Sequence, residues 1–110
     1  MRRGEIWTVS GGSDYTGKPR PAVIIQDNIF DATASVTICA FTSDPSDAPL
    51  LRLLIEPSEA NGLTVASRLM VDKVTTVTKS KIGVRIGQLS SDYIAKLNQA
   101  IIVFLGLTLK

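Results

Sequence analysis

The residues best suited to chemistry in this chain lie in Gly17-Lys18-Pro19-Arg20-Pro21-Ala22-Val23-Ile24-Ile25. Proline fixes φ and drives the residue before it toward extended geometry, so Arg20, between two prolines, is held stiffly at the mouth of an apolar strand. A guanidinium restrained in this way suits phosphate, because its planar fork donates two parallel hydrogen bonds. The ordinary alternative is a solvated arginine at a strand start. Thr42-Ser43 closes the next apolar run and offers two hydroxyls; its ordinary role is a strand end bonding its own loop. The chain contains no histidine. That removes the commonest zinc ligand and the usual acid–base pair, so any catalysis falls to arginine, lysine, carboxylate, hydroxyl or amide groups. Cys39 is the only cysteine, which leaves no internal disulfide and fits a reducing cytoplasm. Within Val36-Thr37-Ile38-Cys39-Ala40-Phe41 it reads as a small buried hydrophobe, with no histidine to activate it.

The elements that must position these groups are short. Residues 5–9 read as a first strand, residues 10–17 as a loop whose three glycines let backbone approach a ligand, and residues 20–26 as a continuous apolar strand. A helical turn is expected within 27–32, a third strand over 34–41, and a proline-stiffened loop over 44–49. Further strands are expected over 50–55 and 65–71, on either side of a turn at Asn61-Gly62, then over 75–78 and 84–89. So many short strands call for a strongly bent sheet or small barrel. Ser90 or Ser91 can cap a helix with Asp92 in its first turn; Ile94, Leu97, Ile101 and Phe104/Leu105 recur at helical spacing, and Gly106 is its stop. Ile102 and Val103 widen the apolar stripe and leave surface for a subunit contact.

The 110 residues, 45% hydrophobic and 20% charged, are expected to form one globular domain, 1–110. The net charge of +2 is unevenly spread. Six acids face only Arg52 between Asp27 and Glu59, whereas Arg68, Lys73, Lys79, Lys81 and Arg85 face only Asp72. This pattern suits either a basic face for a polyanion beside an acidic one, or a mixed solvated surface. Glu5, Thr8 and Ser10 interrupt any signal-type apolar run after Arg2-Arg3, and residues 101–105 are too short to span a bilayer, so a cytoplasmic protein with no membrane partner is expected.

Met1-Arg2-Arg3-Gly4-Glu5-Ile6-Trp7, Gly17-x-x-Arg20-Pro21-Ala22-Val23-Ile24, Phe41-Thr42-Ser43 and Val71-Asp72-Lys73 come in an order and spacing that resembles the MazF/PemK family of toxin endoribonucleases, over nearly the whole chain. The resemblance implies a mainly β, SH3-like small barrel with a strongly bent antiparallel sheet and a C-terminal α-helix. It also implies a homodimer that needs no cofactor or metal, cleaves single-stranded RNA (mRNA) at short sequence motifs, and is neutralised by a cognate antitoxin. Attack by the RNA's own 2′-hydroxyl would leave a 2′,3′-cyclic phosphate.

Arg20 and Thr42 match the family's catalytic arginine and threonine, one for the developing phosphorane charge and the other to hold a phosphate oxygen in line. Ser43 could add a second hydroxyl or a backbone N–H. Asp14 matches a loop acid found in several members and is the candidate base, or an ordinary turn residue. Tyr15 is the candidate for stacking on a base, or a loop anchor. Lys18, Asp72 and Lys73 complete the candidate catalytic or RNA-binding set. Asp72 matches an aspartate of the family; with Arg68 four residues before it on one face of a regular strand, an ion pair or scaffold role is expected. Three departures stand out. Lys18-Pro19 adds a residue before Arg20, Lys73 replaces a common glutamine and bears on base selection, and Met70 stands where some relatives carry a catalytic arginine. Two other functions fit the same scaffold: a toxin that poisons a topoisomerase, for which the tail 106–110 lacks an aromatic residue, and a non-catalytic RNA- or peptide-binding barrel.

Overall fold

The structure, a computed structural model, describes residues 1–10, 18–45 and 52–107. Among the described residues seven strands form in chain order: β1 (Glu5–Val9), β2 (Arg20–Ile24), β3 (Ser35–Thr42), β4 (Arg52–Ile55), β5 (Ser67–Met70), β6 (Thr75–Thr78) and β7 (Ile82–Gln88). One helix, α1 (Ser91–Leu105), follows them. All pairings are antiparallel, in the order β4-β5-β3-β2-β1-β7, with β6 also on β3. The helical turn expected within 27–32 is a 3₁₀ turn at Asn28–Phe30, capped by the Asp27 carboxylate accepting from Ile29 N–H.

β3 bends the sheet. One of its edges pairs with β2 along Ile38–Ala40, while the other is shared end to end by β6, along Ser35–Ile38, and β5, at Phe41 and Thr42. Strand alternation then separates two apolar clusters. Ile6, Val23, Cys39, Phe41, Ile55 and Leu69 pack with Leu97 of α1, and on the other face Ala22, Ile24, Val36 and Ile38 pack with Trp7, Val9, Val77 and Ile82.

The mainly β sheet with a C-terminal helix agrees with the sequence reading, but its hydrogen-bonded ladder stays open among the described residues, with β4 at one end and β7 at the other. The turn after β4 covers the edge of β7 instead. Gln88 N–H donates to Ala60 O, and the buried Asn61 side chain ties the turn by accepting from Ser58 and Leu63 N–H and donating to Glu56 O. The approach is close enough that a Cβ on Gly62, which has φ +70°, would sit 2.1 Å from Ile86 O. Glycine meets both demands, of conformation and of space. A turn packed on the edge therefore takes the place of a closing strand pair.

The helix ends where expected. Ser90 Oγ accepts from Tyr93 N–H, Asp92 lies in the first turn, and Gly106 terminates α1 in the left-handed region at φ 70°.

Candidate active site

Arg20 opens β2 opposite Val9 of β1, and its side chain is exposed. The β2–β3 ladder begins at Ala22↔Ala40, so Pro21, with no N–H to donate, sits just beyond its end. Thr42 is the last residue of β3. Its Oγ1 accepts the Asp44 N–H at 3.1 Å, which is the strand-end turn that hydroxyl residues favour. A hydroxyl whose lone pair is engaged in this way still has its proton to donate.

The two candidates meet at a cleft of about 360 Å³. Arg20 and Pro21 line one part of it, Thr42 and Ser43 another, and Phe41 and Leu63 supply apolar lining. Arg20 also borders a second depression, of about 230 Å³, that it shares with Ser10, Lys18 and Lys81 over an apolar floor that includes Ala22, Ile38 and Val77. A guanidinium and two hydroxyls around one cleft can bind a phosphate through charge-assisted and neutral hydrogen bonds; the apolar lining offers a face for a flat ring.

Not every candidate joins this arrangement. Asp14 and Tyr15 lie outside the described residues. Lys73 is exposed and borders neither hollow. Asp72 pairs with Arg52 rather than Arg68: Arg52 Nε donates to Oδ1 at 2.9 Å and Nη2 to Oδ2 at 3.2 Å. The expected Arg68–Asp72 pair fails because β5 stops at Met70. A 3₁₀ turn at Val71–Lys73 takes Asp72 out of the strand's alternation, and Arg52, opposite Met70 in the β4–β5 register, is the cation brought beside it. The scaffold reading of Asp72 agrees with this geometry.

The hydrogen bonds from Arg52 hold the Asp72 carboxyl below its ordinary value against the opposing effect of burial. Burial, with a smaller contribution from the Asp72 charge, pushes the Cys39 thiol up to about 12, so it stays protonated as a core side chain. Glu5 is raised by burial, but bonds from Arg2 N–H and the Trp7 indole, with the Arg85 charge, leave it net lowered. Leu63, Ser67 and Lys81 were missed as neighbours of Arg20. Leu63 follows the Gly62 turn, which only its packing against β7 brings to the cleft, and Lys81 arrives through the β1–β7 pairing. Nothing local in the sequence signals either placement.

Residues 2–105 match the family described as PemK-like, MazF-like toxin of type II toxin-antitoxin system. The chain is 53% identical, over 107 residues that cover 97% of it and 98% of the relative, to a probable endoribonuclease MazF of Mycolicibacterium smegmatis. Among solved structures it resembles an endoribonuclease in complex with its cognate antitoxin from a mycobacterial species (TM-score 0.80, 22% identity, covering 100% of this chain and 99% of that one). It also resembles MazF in a MazE–MazF crystal from Deinococcus radiodurans (TM-score 0.80, 16% identity, covering 98% of each chain). At these identities the solved structures speak to the fold alone.

Proposed function

The chain belongs to the PemK-like, MazF-like toxins of type II toxin–antitoxin systems, and on that premise we propose that it is a sequence-specific endoribonuclease that cuts single-stranded RNA without a metal ion. The observation that carries this reading is the shared cleft of Arg20, Thr42 and Ser43. In the proposed reaction the 2′-oxygen attacks the adjacent phosphorus as its proton passes to a base. The P–O5′ bond breaks, the 5′-oxygen takes a proton, and the products are a 2′,3′-cyclic phosphate and a 5′-hydroxyl. The nucleophile comes from the RNA itself, so the protein needs only to orient it and to stabilise charge. Arg20 takes the charge that grows on the non-bridging oxygens. Thr42, its oxygen already accepting the Asp44 N–H, donates its own proton to one of those oxygens, and Ser43 adds a second donor. Asp14 is the proton acceptor to test first.

In this reading residues 1–110 act as one toxin domain in the cytoplasm, as a homodimer silenced by a cognate antitoxin. Lys18 and Tyr15 would contribute to holding RNA beside Arg20. The test is incubation of the protein with a long single-stranded transcript in EDTA, beside Arg20→Ala, with both ends of each product mapped. Discrete cuts ending in 2′,3′-cyclic phosphate, abolished in Arg20→Ala, are the expected result. Undiminished cutting by Arg20→Ala would remove Arg20 from the chemistry. Cleavage only on adding Mg²⁺ would overturn the metal-free route, and RNA bound but left uncut would favour the binding barrel.

A further inference from the structure

We propose that Arg68 forms a second phosphate subsite, which holds the RNA phosphate next to the one at Arg20 and Thr42; the proposal rests on the endoribonuclease reading above. Thr42 is the direct partner of Arg68 across β3 and β5. On its other side the β2–β3 ladder ends at Ala22↔Ala40, and beyond that end Arg20 and Thr42 both line the 360 Å³ cleft. Directly opposed residues of an antiparallel ladder share one face. Thr42 therefore shares a strand-pair face with Arg68 and a cleft with Arg20, a hydroxyl close to two cations. With paired strands about 4.8 Å apart, the Arg68 backbone lies one strand spacing from that of Thr42. Long guanidinium arms on either side of the Thr42 hydroxyl can then take consecutive phosphates of one chain.

Arg68 is also the right kind of arginine for an anion from outside. Arg3 is engaged by Ile25 O and Asn98, Arg52 by Asp72, and Arg85 by Glu5 and Gln88. The Arg68 side chain, half-buried, has no hydrogen bond or ion pair among the described residues. Its cross-strand neighbours are Thr42 and Leu54, and neither can neutralise it. A partly desolvated guanidinium left without an acid gains most from a charge-assisted contact with phosphate. Arg68 lies outside the 360 Å³ cleft that Thr42 borders, so its role is to position the strand rather than to touch the scissile group.

The test compares wild type with Arg68→Ala, Arg68→Gln and Arg68→Lys. Cleavage kinetics are measured on a transcript carrying a mapped cut, and binding on a 2′-O-methyl strand spanning that cut, across a salt series. Removing one phosphate contact should lower the slope of log affinity against log salt by about 0.7, the value for one neutralised phosphate on a single strand. Arg68→Ala and Arg68→Gln should raise KM about tenfold, the cost of one charge-assisted bond, with kcat nearly unchanged. Arg68→Lys, which keeps the charge, should keep the slope. Unchanged KM and slope in Arg68→Ala would overturn the subsite, as would a loss of affinity in which Arg68→Lys recovers no slope. A wild-type protein that neither binds nor cuts RNA would overturn the functional reading itself, and the two failures are thereby distinguishable.

Discussion

At the scale of single residues, the site depends on which side of an oxygen is already occupied. Thr42 Oγ1 accepts the Asp44 N–H, which fixes one lone pair and leaves the hydroxyl proton free to donate. Thr42→Val keeps the β-branched shape that a strand end tolerates and removes only that donor and acceptor. Its expected effect is a 10²–10³-fold fall in kcat, the size associated with losing one donor to a developing oxyanion, with the melting temperature changed little; Thr42→Ser should retain most of the rate. Initial cleavage rates and thermal denaturation of the three proteins check this, and equal rates for Thr42→Val and wild type would leave the hydroxyl without a role. The sequence singles out Arg20 and Thr42 through their match to the family pattern, since each on its own reads as an ordinary strand-end residue, and the structure places both on one cleft. The Asp72–Arg52 pair was not legible in the sequence, because its partners are 20 residues apart and meet only through a strand pairing and a turn.

At the scale of elements, patterns that depend on nearest neighbours were readable. β1 and β6 formed with the expected bounds, and α1 took the Ser90 cap and the Gly106 stop. Among the limits that shifted, β2 ends at Ile24 rather than at residue 26 and β5 starts at Ser67 rather than at residue 65; others are set by distant contacts. β5 gives way to a 3₁₀ turn at Val71, and β7 starts at Ile82 rather than Val84, where pairing with Val9 extends it. The junction of β5 and that turn is clamped by Asp72 on Arg52, which joins it to β4. Asp72→Asn should therefore cost about 2 kcal/mol at neutral pH, the scale of a hydrogen-bonded charged pair. The sign of its pH dependence follows from the lowered carboxyl. The pair contributes fully above the unfolded value near 3.9 and loses its contribution as pH falls through the lower folded value. The melting temperatures of wild type and Asp72→Asn should thus differ at pH 7, begin to converge at about pH 4 and meet below the lowered folded value. A gap that stays constant into acid would mean that the charge of Asp72 is not what stabilises the junction. Cleavage lost from a fully folded Asp72→Asn protein would instead place Asp72 in the chemistry.

At the scale of the whole molecule, the unresolved balance is between what the fold buries and what it leaves bare. The first turns of α1 are anchored by Tyr93, Ile94 and Leu97 against the larger apolar cluster. Its last turn carries Phe104 and Leu105 at 44% and 57% exposure, with Leu107 just beyond at 67%. A cap that ends the helix at Gly106 does nothing to cover these side chains, and grouped apolar surface of this kind is typical of subunit contacts. The homodimer proposed above should therefore use this end of α1. Phe104→Asp is the direct probe, because a side chain nearly half exposed can carry a charge without disturbing the fold of one chain, whereas the same charge buried between two copies would have no partner. Sedimentation equilibrium should give a dimer for wild type and a monomer for Phe104→Asp, with the circular dichroism of the two alike. A wild-type monomer would remove the dimer. A dimer that survives Phe104→Asp would move the contact to another face.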